Sequence, residues 1–356
     1  MKIVDLAAAR FHLPLRSPAD FGGGRLTARD GLLLRMDGPN GARGWGEAAP
    51  LPGLHVETLD DVERALAAVR PRLAGHDPQE LEELGRALHD VPPTLRFAVE
   101  MAWLALTARA RGTAPAHLLA SSPHASVPLN ALAAGADPYE MARTILARPD
   151  ARSLRVLKLK LGRGRPLEDE RRQLEKLASA LPPGTSLRLD GNRGYELDEA
   201  TTLLAGLDRR RVEYLEEPLR DPRLLPRLSE RTGLPIALDE SLHDDELNGL
   251  WAHPCVAAHV LKPTRLGGFA ETLRRAERGL RDGKRCVISS CLESGLGLSA
   301  LAQLAAAIGD APTAAGLATF QLLADDLCDP PLAATDWQLR TDDWIAQPAP
   351  RFRDAV

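Results

Sequence analysis

Of the 45 basic residues in this 356-residue sequence only six are lysines: Lys2, Lys158, Lys160, Lys176, Lys262 and Lys284. Where a permanent charge suffices, the chain uses Arg. A lysine can give up its proton near neutral pH and an arginine cannot, so a retained lysine is a candidate proton carrier. For any one of them taken alone, chance survival of a drift toward Arg explains it equally well. Three of the six, however, stand at the ends of short apolar runs that share a pattern. The runs end in Lys158-Leu159-Lys160, Asp190, Glu216-Glu217-Pro218, Asp239-Glu240-Ser241 and Lys262-Pro263. From Lys160 the successive steps to Asp190, Glu216, Asp239 and Lys262 are 30, 26, 23 and 23 residues. Each step is about one strand–helix unit, so the five side chains are expected at similar heights on adjacent strands.

A single acid at a strand end is usually a helix cap or an ion-pair partner. Three on successive strands, with lysines on both sides, are harder to dismiss. Burying them together without a cation would cost several kcal/mol per charge. Three carboxylates with no His or Cys beside them suit a hard, oxygen-seeking ion, Mg²⁺ first and Mn²⁺ as a substitute. Such an ion on a substrate carboxylate stabilises the enediolate left when the α-proton departs. Lysines near it and near each other are pushed toward the lower pKa that a general base needs, and Lys160 and Lys262 would bracket the reacting carbon.

Strand alternation places these side chains. Val156, Lys158 and Lys160 share one face of their strand, while Leu157, Leu159 and Leu161 share the other. The leucines are expected against helices and the lysines in the mouth of a barrel. By the same parity Arg188 accompanies Asp190, and Tyr214 accompanies Glu216. Glu217 and Glu240 have the opposite parity and are read as caps or ion-pair partners.

The positioning elements fall into two textures. Residues 1–112 read as a small α+β unit, with strand-like segments at 2–14 and 31–36 and a strand leaving into a Pro/Gly loop at 41–53. FGGGRLTARDG (21–31) is expected to be a mobile loop, and helices are expected at about 57–74, 78–89 and 93–111. Over residues 113–324, eight short apolar runs, from VPLNALAA to AAGLATF, alternate with amphipathic helical stretches such as 167–181, 197–207 and 268–282. That alternation means a parallel sheet, and eight strands in roughly 200 residues suit a barrel better than an open sheet. No GxGxxG follows an early strand to support the open sheet. Residues 325–356 are expected to pack back on the N-terminal unit.

The bulk composition excludes several classes. A net charge of −4 gives no reason to expect nucleic acid or an anionic membrane as partner. No stretch approaches the length of an apolar membrane span. The first residues, MKIVDLAAARFHLPLRSP, carry charges inside what would be the apolar core of an export signal, so they read as an opening strand. Cys255, Cys286, Cys291 and Cys328 form no CxxC and fit a reducing cytoplasm. The expected partner is a small carboxylate, with a monomer compatible and the oligomeric state open.

The Lys-x-Lys, the Asp, Glu and Asp on the next three strands and the Lys on the sixth resemble the enolase superfamily, in its muconate-lactonizing subgroup. All six positions are filled in order. The segments GWGEAAPLPG, KLKLG, RLDGNR, YLEEPL, ALDESL, VLKPTRLGG and ISSCLESGLGLSALAQLA are similar to the o-succinylbenzoate synthase family of the enterobacterial type, up to about residue 305. The resemblance implies a (β/α)7β TIM-like barrel with an N-terminal α+β capping domain completed by C-terminal residues. It also implies syn-dehydration of a 2-succinyl-6-hydroxycyclohexadiene carboxylate. Lys160 would be the base and then the acid, Lys262 a cation over the opposite face, and Lys158 the residue that tunes Lys160. Asp190, Glu216 and Asp239 would hold Mg²⁺. The loop around Arg25 and Arg29 and the Pro50–Gly53 turn would close over the substrate. Arg188, Asn192, Ser289, Ser290 and Cys291 are candidates to hold the succinyl carboxylate or its surroundings. For the serines, hydroxyls bonded to backbone are an equal alternative. The family pattern has Ala where Gly191 stands and Ser where Cys291 stands.

The same lysine pair serves racemases, epimerases and cycloisomerases of the subgroup, and N-acylamino-acid racemisation stays open. Dipeptide epimerases show Asp-x-Asp on the eighth strand, whereas Gly316–Phe320 holds no acid. A barrel kept only as a scaffold would be expected to have at least one of the six positions broken.

Overall fold

Strict alternation opens the chain: Phe11, Leu13 and Leu15 are buried while His12, Pro14 and Arg16 face solvent. In this computed structural model, which describes residues 1–20, 24–162 and 164–356, that pattern is part of a long antiparallel hairpin. β1 (Asp5–Asp20) pairs with β2 (Arg25–Asp37), and β2 pairs with β3 (Arg43–Ala48). Residues 25–31, expected as loop, belong to β2. They are recruited because β1 is long enough to pair with them, Arg25 opposite Asp20 and Asp30 opposite His12. Phe21–Gly23 of the expected loop lie outside the described residues.

The sheet is covered by the apolar helix Pro93–Arg111, which stops at Gly112 in the left-handed conformation. Contact is so close that a Cβ on Gly44 or Gly46 would overlap the carbonyl oxygen of Ala102 or Ala98. Helices at Leu59–Leu73, opened by a reciprocal Thr58–Asp61 cap, and at Leu81–Ala87 complete this unit.

The second unit is a parallel sheet in sequence order: β5 (Asn130–Ala133), β6 (Val156–Lys160), β7 (Ser186–Asp190), β8 (Val212–Glu216), β9 (Ile236–Leu238), β10 (Val256–Leu261) and β11 (Arg285–Ile288). Before it, β4 (Ser126–Pro128) pairs with β12 (Gln338–Arg340). Helices such as Leu167–Ala180, Leu197–Leu204 and Phe269–Arg281 run between the strands. The run AAGLATF, expected as an eighth strand, is reduced to two bridging residues. Ala315 bridges Leu129 and Gly316 bridges Ser289, and the chain then turns into a short 3₁₀ helix at Ala318–Leu322. Those two residues close the ring through Asn130 N–H to Ala315 O at 3.0 Å and Gly316 N–H to Ile288 O at 2.8 Å. The fold is a TIM-like α/β barrel beside an antiparallel capping sheet.

Residues 325–356 touch both units. β12 lies on β4, the Ile345 amide donates to Ser299 Oγ, and Arg35 donates to the carbonyl of Val356. No helix among the described residues is long and apolar enough to cross a membrane.

The close approach of β3 to its helix gives a stability prediction. Gly46→Ala should lower the free energy of unfolding by about 1–3 kcal/mol, as overpacking does. Urea unfolding of the two proteins measures it, and equal midpoints would show that the helix can move aside.

Candidate active site

Registry, not just spacing, brings the charged side chains together. Across the parallel ladder Lys158 stands beside Arg188, Lys160 beside Asp190, and Asp190 beside Glu216. Asp239 follows β9 directly and Lys262 follows β10. The outward residues Leu157, Leu159 and Leu161 are buried in the main core. The inward ones meet at the C-terminal mouth, where barrels of this kind carry their chemistry.

Asp190, Glu216 and Asp239 are buried, and each meets an ammonium group. Lys158 Nζ donates to both oxygens of Glu216 at 2.6 and 2.7 Å and lies 2.8 Å from Asp190 Oδ2. Lys160 Nζ donates to Asp190 Oδ2 at 2.6 Å and to Asn192 Oδ1 at 2.7 Å. Lys262 Nζ pairs with Asp239 Oδ2. Asp239 Oδ1 is buried with no partner.

The lysines are not equivalent electrostatically. Burial lowers all three, but at Lys158 it is outweighed by Asp190 and Glu216, and at Lys262 by Asp239, so both are raised. At Lys160 burial prevails, helped by the ammonium of Lys158 against the pull of Asp190, and the pKa is lowered. Burial and the charge of Asp190 push Glu216 up to about 8. Asp190 and Asp239 are held low by their lysines in spite of burial.

Among the described residues no three His, Cys, Asp or Glu side chains converge closely enough to share one ion. The lysines draw the carboxylates to separate points, two of them to Lys158 and the third to Lys262. The donor set nonetheless suits a hard cation. It is all oxygen, two of its carboxylates already share one cationic centre, and the third has a free buried oxygen.

The remaining candidates are placed variously. Asn192 stands in the mouth, bonded to Lys160 and, through its own amide N–H, to Asp190 Oδ1 at 3.1 Å. Arg188 shares the inward face but sits lower, inside the barrel. There it pairs with Glu213 at 2.8 Å, donates to Asn130 and the Ala314 carbonyl, and lies over the Tyr214 ring. It braces the closing segment. Ser289 bridges Gly316, and Ser290 Oγ is 2.7 Å from Thr319 Oγ1. Cys291 is buried and its thiol is pushed up to about 12, by burial first and then by Glu293. Arg25 is exposed on β2. Arg29 is buried, and its guanidinium donates to the carbonyls of Leu292, Pro50 and Ala49. These bonds tie the cap to the barrel.

Sequence reasoning passed over the rest of that tie. Glu47 accepts the Ser294 and Gly297 amides of the barrel at 2.9 and 3.1 Å. His55 Nδ1 accepts the Leu51 amide, His55 Nε2 is 3.3 Å from Thr264 Oγ1, and Thr264 donates to Glu293. Glu47 sits in GWGEAAPLPG, a segment whose motif says nothing of the distant amides this residue meets.

Residues 140–344, more than half of the chain, match the family described as "Enolase C-terminal domain-like", and residues 4–106 match "MenC, N-terminal domain". The o-succinylbenzoate synthase of Pectobacterium atrosepticum is 32% identical over 318 residues, covering 88% of this chain and 90% of that protein. The o-succinylbenzoate synthase of Thermobifida fusca is 32% identical over 325 residues, covering 90% and 83%. The chain belongs to the o-succinylbenzoate synthase family of the enolase superfamily. A superfamily member from Roseovarius nubinhibens, solved with magnesium, has the same fold, with a TM-score of 0.82 at 23% identity over 95% of this chain and 92% of that one.

The cap–barrel tie of this family member should be pH-sensitive through His55. Burial depresses its pKa from 6.5 to about 4, against the pull of Glu57, and the Leu51 amide requires an unprotonated Nδ1. A depressed folded-state pKa contributes stability that is complete above the unfolded value and is lost as pH falls through the folded one. Between about pH 6.5 and 4 the protein should therefore lose stability more steeply than His55→Asn does, read by urea unfolding at a series of pH values. Parallel curves would remove His55 from the tie.

Proposed function

We propose that the chain is an o-succinylbenzoate synthase that dehydrates 2-succinyl-6-hydroxy-2,4-cyclohexadiene-1-carboxylate to 2-succinylbenzoate, a step of menaquinone synthesis. The observation that carries this reading is the gathering of three lysines and three buried carboxylates, from five successive strands, in one barrel mouth. The two curated relatives bearing that name support it over most of the chain.

Lys160, the lysine whose pKa is lowered, takes the proton from the ring carbon that bears the carboxylate. The same ammonium then returns the proton to the departing hydroxyl, so that water leaves, the C–O bond breaks and the ring becomes aromatic. One group handling both steps makes the elimination syn. Lys262, held charged by Asp239, faces the other side and stabilises the negative charge that develops on the carboxylate. Lys158 stays cationic and keeps Lys160 easy to deprotonate. Held by Asp190, Glu216 and Asp239, Mg²⁺ would add its positive charge where the substrate carboxylate becomes an enediolate. The all-oxygen donor set, the unpartnered Asp239 Oδ1 and the magnesium in the Roseovarius structure support that assignment.

The direct test is absorbance-monitored conversion of the cyclohexadiene with and without EDTA. Turnover should stop on chelation, and Lys160→Ala and Lys262→Ala should each lose at least about a hundredfold in kcat. Full activity in Lys160→Ala would sink the mechanism. No turnover of the cyclohexadiene, together with racemisation of an N-succinylamino acid, would move the chain to the other proton-transfer chemistry that a lysine on each face allows.

A further inference from the structure

The acid next to the carboxylate Glu216 has no part in the mechanism above, yet it is fully buried and makes four contacts. Glu217 Oε1 accepts the backbone amides of Asp239 at 3.0 Å and Ser241 at 2.7 Å. Its Oε2 accepts Ser241 Oγ at 2.9 Å and Arg193 Nε at 3.3 Å. Arg193 closes the ring, donating from Nη2 to Ser241 Oγ at 2.9 Å and from its own amide to the Glu217 carbonyl at 2.6 Å. One carboxylate thus binds together the ends of β7, β8 and β9, the three strands that present Asp190, Glu216 and Asp239.

The backbone around it is bent in a way that needs holding. Glu217 has φ +40°, and Asn192 and Arg193, at the adjoining strand end, have φ +44° and +55°. Residues with a Cβ adopt this region at a cost and persist there only when their surroundings enforce it. Asp239 itself leaves its strand in an irregular conformation, φ −125° and ψ −80°. Its side chain has one oxygen on Lys262 and the other without a partner, so nothing but that lysine orients it from the side-chain end. Its direction is set from the backbone, and the backbone amides on and just after it are held by Glu217.

We propose that Glu217 is a positioning residue for the metal site: it fixes the direction of Asp239 and, through Arg193, the loop that carries Asn192 to Lys160. The proposal rests on the reading of Asp239 as a magnesium ligand. A carboxylate suits the post because it only accepts, and four donors surround it. A glutamine could keep the two amides on its carbonyl oxygen, but its NH₂ would then face the Arg193 guanidinium. Glu217 would be to Asp239 what outer carboxylates are to metal-bound histidines, and loss of such partners typically weakens metal binding about 10–100-fold.

The test is calorimetric titration of Mg²⁺ into the EDTA-stripped full-length protein, with Mn²⁺ electron paramagnetic resonance as a second reading of the site. Glu217→Gln should bind Mg²⁺ about tenfold more weakly than wild type and Glu217→Ala more weakly still. The metal-free melting temperature of Glu217→Gln should stay near wild type, which separates positioning from general loss of structure. If Glu217→Ala does not fold, Glu217→Gln and Ser241→Ala carry the comparison. Asp239→Asn is the control and should abolish binding. Wild-type affinity and an unchanged Mn²⁺ spectrum in Glu217→Gln, beside a dead Asp239→Asn, overturn the positioning role. Wild-type affinity in Asp239→Asn overturns instead the ligand reading beneath it.

Discussion

Three buried carboxylates in one barrel mouth repel one another, and the site is organised around supplying the positive charge they require. In the structure that charge comes from Lys158, Lys160 and Lys262, each within ion-pair distance of an acid. The same arrangement explains why the lysines differ. Burial lowers all three; nearby acids outweigh it at Lys158 and Lys262, whereas at Lys160 it prevails, helped by the ammonium of Lys158. Lys158 lies between two carboxylates, Lys262 has Asp239, and Lys160 shares Asp190 with Lys158. Three copies of one side chain are thus shifted in two directions, Lys160 down and Lys158 and Lys262 up, which is the division of labour that the proposed mechanism uses. Arg could serve as a fixed cation, but it could not be Lys160.

Such a constellation works only if strand ends and cap stay where they are, and both are held by buried charge rather than by apolar packing alone. Inside the barrel Arg188 reaches Glu213, Asn130 and the carbonyl of Ala314, joining the closing segment to its neighbours where only two residues bridge the sheet. Above, Glu217 does the same for three strand ends. Between cap and barrel, Arg29 and Glu47 meet backbone groups of the segment after β11. Arg29, Glu47 and Glu217 each satisfy two or more backbone groups that would otherwise be buried unpaired, and Arg188 satisfies one together with the side chains of Glu213 and Asn130.

That distinction decides what could be read from the sequence. The mouth was legible because its two determinants are local and periodic: alternation along a strand puts Lys158 and Lys160 on one face, and even steps put Asp190, Glu216, Asp239 and Lys262 on successive strands. The helices were legible for the same reason, Pro93–Arg111 ending at its glycine as expected. What escaped depends on partners far away in the chain. Arg29 sits in a stretch that reads as loop and becomes strand only because β1 extends opposite it; its own contacts are mostly carbonyls, which have no sequence signature. Arg188 has the inward parity of a site residue, and parity says nothing of height within the barrel. The eighth strand was expected from an apolar run, but closure needs only Ala315 and Gly316, where the absence of a side chain lets the backbone approach Ser289.

Opposite parity marks Glu217 as a cap or an ion-pair partner, and in the structure it pairs with Arg193 and accepts the amides of Asp239 and Ser241. Along Glu216-Glu217 neighbouring carboxylates are sent to different places, one into the mouth and one to the amides of the next strand end. The first is unfavourable by itself and is tolerated because a cation meets it; the second is satisfied by donors already present in the fold. Of these two neighbours, Glu216 meets Lys158 in the mouth and Glu217 holds the backbone that carries Asp239. Removing the Glu217 carboxylate would leave the amides of Asp239 and Ser241 without this acceptor, while the pairing of Glu216 with Lys158 involves other atoms.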